Sequence, residues 1–428
     1  MPSSDDPAPS SPLFTVLMIV ALLAVWGLVL DAIHTSRGGS IDLRNRITGV
    51  RLASEHRDPY FYQWTRLEDE RFGDPFNAPG SAVSHTTVTP LTLTAFYPLK
   101  ALPYRASQWI WFAVQYSLLG LGFWVWARGS PCGVWLAGGL FTCLFCLTPH
   151  WRFHVDRGQS YVLYASLFLF AAQTADGKAG QMRPWREGLT TSLLALLRPT
   201  YGVLLGVAAA RKKGAALTAS AAGVMLGVLV PVLMGGTALW QNYFKAMAVH
   251  AQLYLTRTAH PKSKFSASES IEGIPIDTWL NFPRIPFSDT SIYRLISFQL
   301  QPGLLLGTWA VLAALSGFLF LRRSEIGTPR CWWALSAWVF IGDYLLPAYR
   351  YPYNHILLWP VLLLGLTALP AGRPRTVWLG LGTALLALHG ATWFLPPVCI
   401  SWPGVASLVL ALGVAAAGFV PGRRASAI

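Results

Sequence analysis

The sequence predicts an all-α membrane protein, a bundle of about 10–12 transmembrane helices that forms one domain over residues 1–428. Hydrophobic residues make up 53% of the chain and charged residues only 12%. Apolar runs of about 20 residues, the length that a helix needs to cross the hydrocarbon core, recur along almost the whole chain. The Lys and Arg residues behind the net charge of +14 cluster mostly in short loops between these runs. Topology and lipid headgroups account for most of them, so nucleic acid is not an expected partner.

Most of the apolar runs are predicted to be simple spans. They cover residues 12–33, 107–127, 132–149, 160–175, 214–235, 303–322, 331–348, 355–370, 376–395 and 402–420. The first run is too long for a signal peptide, so we expect it to be retained. Two further runs, 86–102 and 188–210, contain proline. Because proline interrupts a helix and lipid does not tolerate irregular backbone, we predict short or re-entrant elements that line a cavity.

The basic residues also predict the orientation of the chain. Arg423 and Arg424 follow the last run and favour a cytoplasmic C-terminus. Counting backwards then places the other basic loops inside, and it places the polar segments 34–85 and 236–301 outside the membrane. Both segments are too long for hairpin connections, so we expect them to form the functional face, with segment 34–85 as the catalytic loop.

Asp42 is the carboxylate best placed at the membrane surface, because it follows the outer end of the first span by a few residues. If the substrate is a lipid-linked phosphate, such a carboxylate could take a proton from an acceptor hydroxyl. The structural alternative is that Asp42 caps an amphipathic helix over residues 43–54. Asp58 and the charge run Glu68-Asp69-Glu70 are rival carboxylates, although a charge run is usually solvated.

Three sets of cations on the outer side are candidates for anion binding. Arg157 precedes Gly158-Gln159 at the start of a span, and a helix N-terminus suits an anion. Arg198 lies within an apolar run, where a cation is costly and therefore a functional candidate, with snorkelling to the interface as the alternative. Arg350 and His355 flank an outer segment with two tyrosines. A phosphate contact and an interfacial aromatic belt are both open for this segment.

The motifs of this chain resemble those of glycosyltransferase family 87. Asp42-Leu43 and Pro59-Tyr60 have the spacing of the "DF…PY" stretch that follows the first helix in that family. A proline-rich second element, a "GQ" helix start and a "KP" break follow in the family's order, here as Pro90, Pro98-Leu99, Leu102-Pro103, Gly158-Gln159 and Arg198-Pro199. The chain departs from the pattern at Arg46-Ile47, Gly49-Val50, Ser160-Tyr161 and Arg198, which leaves the identity of the sugar and the acceptor open.

The resemblance implies a fold of the GT-C superfamily and an inverting glycosyltransferase that uses a polyprenyl-phosphate sugar, most plausibly mannose. The active site would face the non-cytoplasmic side of a bacterial inner (plasma) membrane, and Asp42 would be the general base. The donor phosphate would be held by Arg198, Arg157, His355 and Arg350. The sugar or the acceptor would contact Gln159, Asp58, Tyr60, Tyr353 and His154.

The expected partners are therefore a lipid-linked sugar donor, a glycan or glycolipid acceptor and membrane lipids, and we expect a monomer. No cofactor or metal is expected, because the leaving phosphate is a stable anion and the five cysteines show no metal-ligand spacing. The alternative function is a transporter of a lipid or small solute with a midplane site at the two broken runs. A transporter predicts coupled ionisable residues deep in several spans, for which the sequence offers Arg198, Asp343 and His389.

Overall fold

The computed structural model describes residues 11–37, 40–62, 64–65, 67–75, 86–175, 184–210, 214–259, 270–271, 274–275, 302–323, 325, 328–346, 352–392, 394 and 402–420. The α-helices are α1 (Ser11–Ser36), α2 (Ile41–Ala53), α3 (Pro90–Ala95), α4 (Tyr104–Arg128), α5 (Trp135–Cys146), α6 (Pro149–Arg157), α7 (Tyr161–Ala175), α8 (Pro184–Leu197), α9 (Val203–Ala210), α10 (Gly214–Gly235), α11 (Ala238–Ala259), α12 (Pro302–Arg322), α13 (Pro329–Tyr344), α14 (Leu358–Ala368), α15 (Arg373–Ala391) and α16 (Trp402–Ala417). Short 3₁₀ helices cover Glu70–Phe72, Tyr97–Leu99, Cys132–Val134, Pro199–Gly202 and Pro352–Leu357. Two strands of two residues each, β1 (Ser270–Ile271) and β2 (Ile274–Pro275), pair antiparallel.

The predicted all-helical membrane fold is confirmed. Within the described ranges, α1, α4, α10 and α12 are each long and apolar enough to cross a membrane alone, and α5 with α6 adds a fifth span if this pair, bent by 62°, crosses as one unit. No more than 33% of the apolar stretch of any of these four helices is buried inside the protein. Large apolar side chains such as Leu22, Met225 and Leu233 are exposed instead. An apolar surface of this extent fits a lipid environment and not water.

The centre of the bundle is formed by shorter helices. In α13 every residue from Cys331 to Tyr344 is buried, and in α14 the same holds from Leu358 to Leu366. Such helices are mostly apolar on every side because protein surrounds them. Helices α13 and α14 therefore form the core of the bundle, and the longer helices form its lipid-facing exterior.

The run 188–210 is interrupted where its proline predicted a break. Helix α8 ends at Leu197, Arg198 is extended, and the 3₁₀ turn Pro199–Gly202 leads into α9. Helix α8 packs along α10, where the Ser192 hydroxyl donates a 2.8 Å hydrogen bond to the Ser220 carbonyl. The run 86–102 likewise forms the short α3 and a 3₁₀ turn. The break after α8 and the segment just before α3 both line the same cleft, described below.

Two features differ from the sequence prediction. Residues 149–157, between the predicted spans 132–149 and 160–175, form a separate helix, α6, because Thr148 caps it and Pro149 starts it. The segment 236–301, predicted as a polar loop, begins with the 22-residue helix α11. The predicted amphipathic helix over residues 43–54 is present as α2, with its apolar face buried.

Candidate active site

Asp42 lies in the first turn of α2, and two side chains from the end of α6 hold its carboxylate. Arg157 donates from Nε to Oδ2 at 2.7 Å and from Nη2 to Oδ1 at 3.3 Å. The amide nitrogen of Gln159 donates a further short hydrogen bond to Oδ2. Such a two-point Arg–carboxylate pair fixes orientation as well as charge. Arg157 and Gln159, two residues that the sequence also proposed for the site, therefore orient the carboxylate of Asp42.

Gly158 explains how α2 and α6 approach each other. It ends α6 in the left-handed region, with φ of 68°, which favours glycine. A Cβ on Gly158 would lie only 2.8 Å from the Cβ of Leu43. The backbone N–H of Ser40 also donates to the carbonyl of Asp156. The start of α2 thus packs directly on the turn that carries Arg157 and Gln159.

The environment of Asp42 favours its ionised form. Burial opposes ionisation, but the positive charge and hydrogen bonds of Arg157, with the charge of Arg46 and the hydrogen bond from Gln159, outweigh it. The pKa of Asp42 is therefore lowered from its ordinary value of 3.8. At neutral pH the site presents a carboxylate that accepts hydrogen bonds and protons and does not donate them.

The carboxylate faces a cleft of about 640 Å³ that is open to solvent. Its lining is mostly polar: Asp42, Asn45, Arg46, Thr86, Thr87, Val88, Thr89, Gln159, Ser160, Tyr161, Tyr164, Leu197, Arg198, Pro199, Tyr243 and Tyr353. Hydroxyl and amide groups dominate this list, and such groups suit a polar ligand whose hydroxyls need partners. The cleft lies between the start of α2, the start of α7, the break after α8 and the 3₁₀ turn Pro352–Leu357.

Arg198 contributes a second charge to the cleft. Its Nε donates a 2.5 Å hydrogen bond to Oδ1 of the buried Asp343, and Asn354 donates to the other oxygen at 3.3 Å. The guanidinium also lies 4.7 Å from the ring centroid of Tyr161. Arg198 does not snorkel to the interface, because a carboxylate on α13 pairs with it inside the protein.

The structure brings together five of the predicted site residues. Asp42, Gln159, Arg198 and Tyr353 line the cleft, and Arg157 contacts Asp42 and lies 5.9 Å from the ring centroid of Tyr353. Sequence patterns did not predict a site role for Asn45 and Arg46, two further lining residues on α2, or the pairing of Asp343 with Arg198.

Two predicted histidines, His355 and His154, are buried apart from the cleft lining. His355 is fully buried, contacts the Tyr344 hydroxyl and stacks on His150 with ring centroids 4.4 Å apart. His154 is also fully buried and accepts a 3.2 Å hydrogen bond from the backbone N–H of Val162. Arg350 lies outside the described residues.

Asp58 and Tyr60 form the support of the cleft wall. Asp58 accepts hydrogen bonds from the Tyr60 backbone N–H at 2.8 Å and from Asn242 of α11 at 2.9 Å. The Tyr60 hydroxyl donates to the carbonyl of Val88, a residue of the cleft lining, at 2.9 Å. These contacts tie the first polar loop to α11 and to the segment before α3.

Comparison with known proteins agrees with the motifs. The model of glycosyltransferase family 87 matches residues 87–280. The matched range includes Arg157, Gln159 and Arg198 and begins after Asp42. Neither the curated proteins nor the solved structures contain a significant match to the chain. The family match confirms the resemblance drawn from the motifs over somewhat less than half of the chain, and the apolar helices of the described residues fit a multi-pass membrane protein.

Proposed function

We propose that the protein is an inverting glycosyltransferase that moves a sugar, with mannose as the proposed donor sugar, from a polyprenyl-phosphate donor to a lipid-linked or cell-envelope glycan. The observation that carries the proposal is Asp42 on the wall of a cleft that also contains Arg198, with its carboxylate held by hydrogen bonds from Arg157 and Gln159. The basic loops support an active site on the outer face of the membrane, which we propose to be a bacterial inner membrane.

The chemistry requires one base and a place for the leaving charge. The oxygen of an acceptor hydroxyl attacks the anomeric carbon while Asp42 takes the hydroxyl proton. The bond between the anomeric carbon and the phosphate oxygen breaks, and its electron pair stays with the phosphate, so the configuration at carbon inverts. A general base positioned in this way contributes about 10²- to 10⁴-fold to the rate.

Arg198 is the candidate for stabilising the phosphate. In the structure its charge is balanced by Asp343, which Asn354 holds in turn. A phosphate in the cleft would add a second anion to this guanidinium, whose five N–H donors can serve more than one partner. Asp343 and Asn354 therefore position Arg198, and Arg198 provides the charge-assisted hydrogen bonds. This arrangement includes no step that needs a metal or an organic cofactor.

The polar lining supplies partners for sugar hydroxyls. Ser160, Tyr161 and Tyr164 line the cleft at the start of α7, between Asp42 and Arg198 in the chain order. The Ser160 and Tyr164 hydroxyls lie 2.9 Å apart and are already linked. A site that hydrogen-bonds sugar hydroxyls discriminates strongly against analogues that lack them.

The proposal is tested by transfer of a labelled sugar by the purified protein. Polyprenyl-phosphate mannose, other polyprenyl-phosphate sugars and nucleotide sugars are compared as donors, with cell-envelope lipid as acceptor. We expect product only with a polyprenyl-phosphate donor, and we expect Asp42→Asn to lower transfer by about 10²-fold or more while donor binding is retained.

Asp69→Asn is the matched control, because Asp69 is an exposed carboxylate of the same polar loop and pairs with Arg71 away from the cleft. It should transfer sugar as the wild type does. An active Asp42→Asn variant would show that the base is another group, and use of a nucleotide sugar would show that the donor class is wrong.

A further inference from the structure

Arg46 occupies an unusual place next to the proposed base. It lies one helical turn after Asp42 on α2, a spacing at which Asp and Arg side chains commonly pair. Arg46 is only 4% exposed, lines the cleft and yet donates to other acceptors. Its Nη1 binds the carbonyl of Gly158 at 2.5 Å, and its Nη2 binds Oε1 of Gln159 at 2.6 Å.

These two contacts fix the turn that serves Asp42. Gly158 lies between Arg157 and Gln159, the two residues that donate to the carboxylate. Its carbonyl also accepts a 3.0 Å hydrogen bond from the indole of Trp111. The backbone at the centre of the turn is therefore clamped by two donors from two different helices.

The contact with Gln159 decides which end of the amide faces Asp42. A guanidinium can only donate hydrogen bonds, so the group that it contacts must be the amide oxygen. The amide nitrogen then points the other way and donates to Asp42. If the amide were reversed, its oxygen would lie against the carboxylate and repel it. Arg46 thus fixes both the backbone next to Arg157 and the orientation of the Gln159 amide.

We propose that Arg46 is a positioning residue for Asp42: its two-pronged contact with Gly158 and Gln159 keeps both donors on the carboxylate. The inference rests on the proposed role of Asp42 as general base. Lysine cannot replace Arg46 fully, because a single ammonium group does not reproduce two parallel N–H donors in a fixed plane. The charge alone is therefore not sufficient.

The test is the pH dependence of kcat/KM for Arg46→Met and Arg46→Lys in the full-length protein. Loss of the clamp and the charge should make proton binding to Asp42 easier. We expect kcat/KM of Arg46→Met to fall about tenfold between about pH 7 and pH 5, where the wild type stays nearly constant. Arg46→Lys should show a smaller fall. Thermal unfolding in detergent identifies any variant that fails to fold.

Arg44→Met is the matched control. Arg44 is a buried arginine on the same helix, but it pairs with Asp74 at 3.0 Å and does not line the cleft. We expect lower thermal stability for Arg44→Met and an unchanged pH profile. A change of the profile in Arg44→Met equal to that in Arg46→Met would overturn the proposal, because the effect would then follow from damage to α2.

Two other results contradict the inference in different ways. An unchanged profile in both Arg46 variants, with Asp42→Asn inactive, would show that Arg46 has no positioning role although the base is correct. A higher KM for the donor with an unchanged profile would make Arg46 a substrate ligand. If Asp42→Asn kept its transfer activity, the proposed role of Asp42 as general base would be wrong. That result comes from a different variant, so it can be distinguished from failure of the proposal about Arg46.

Discussion

Arg157 Nε and Asp42 Oδ2 lie 2.7 Å apart although 115 residues separate them in the sequence. The pair forms where the end of α6 meets the start of α2, and it exists only in the folded chain. Because the folded pKa of Asp42 lies below its ordinary value of 3.8, the pair stabilises the fold above that value. The stabilisation is lost as the pH falls through the lowered, folded pKa.

The first prediction concerns the acid limb of the transfer reaction. Arg157→Met removes the charge and the hydrogen bonds that do most to offset burial, so the pKa of Asp42 rises, although Arg46 and Gln159 still lower it. Activity that needs an ionised base should then be lost at a higher pH than in the wild type. The measurement is kcat/KM against pH.

Arg152→Met provides the control for that experiment. Arg152 lies on the same helix and pairs with Asp31 of α1 at 3.3 Å, away from the cleft. We expect this variant to unfold at a lower temperature and to keep the wild-type pH profile. If Arg157→Met also kept the wild-type profile, Asp42 would not be the group that titrates.

The second prediction separates stability from catalysis at Arg198. Arg198→Met leaves the buried Asp343 without its cation, which costs about 3–5 kcal/mol in comparable buried pairs. Adding Asp343→Asn removes the unpaired charge and keeps the shape, so the double variant should regain much of the lost thermal stability. Transfer should stay low in both variants, because neither has a cation for the phosphate.

Thermal unfolding and the transfer assay are measured on the same preparations of these variants. Asp343→Asn alone measures the loss of stability when Arg198 is the residue left without its partner. This loss should be smaller than in Arg198→Met, because the Arg198 side chain is 18% exposed and can reach water more easily than Asp343 can. A double variant that recovered both stability and transfer would exclude Arg198 as the phosphate ligand.

The sequence predicted those parts of the fold that local patterns encode. The amphipathic period of Leu43, Ile47 and Val50 predicted α2, and Pro199 predicted the break after α8. Asp42 and Gln159 were named from order and spacing along the chain. Each of these predictions needed only residues that are close together in the sequence.

The partners in the site were not predictable in this way. Asp343 had been noted only as an ionisable residue within a span, and its pairing with Arg198 joins positions 145 residues apart. Arg46 stood out only as a departure from the family pattern, although it contacts Gly158 and Gln159. Contacts of this length leave no periodic signal in one sequence. His355 looked available from its position at a span end, but three-dimensional packing buries it.

The third prediction concerns Gly158, where two physical effects add. Alanine in the left-handed region costs about 1–2 kcal/mol, and at Gly158 its Cβ would also meet the Cβ of Leu43 at 2.8 Å. The overlap must push α2 away from the end of α6, which separates Asp42 from Arg157. Gly158→Ala should therefore lose both thermal stability and transfer.

Gly236→Ala isolates the first effect. Gly236 lies between α10 and α11 with φ of 80°, and a Cβ there would meet nothing within 4 Å. This variant carries the backbone cost without the overlap, so we expect a smaller loss of stability and nearly normal transfer. Only the overlap with Leu43 distinguishes Gly158 from Gly236. If both variants lost the same stability and both kept transfer, the close packing of Leu43 on Gly158 would not be what holds Asp42 in place.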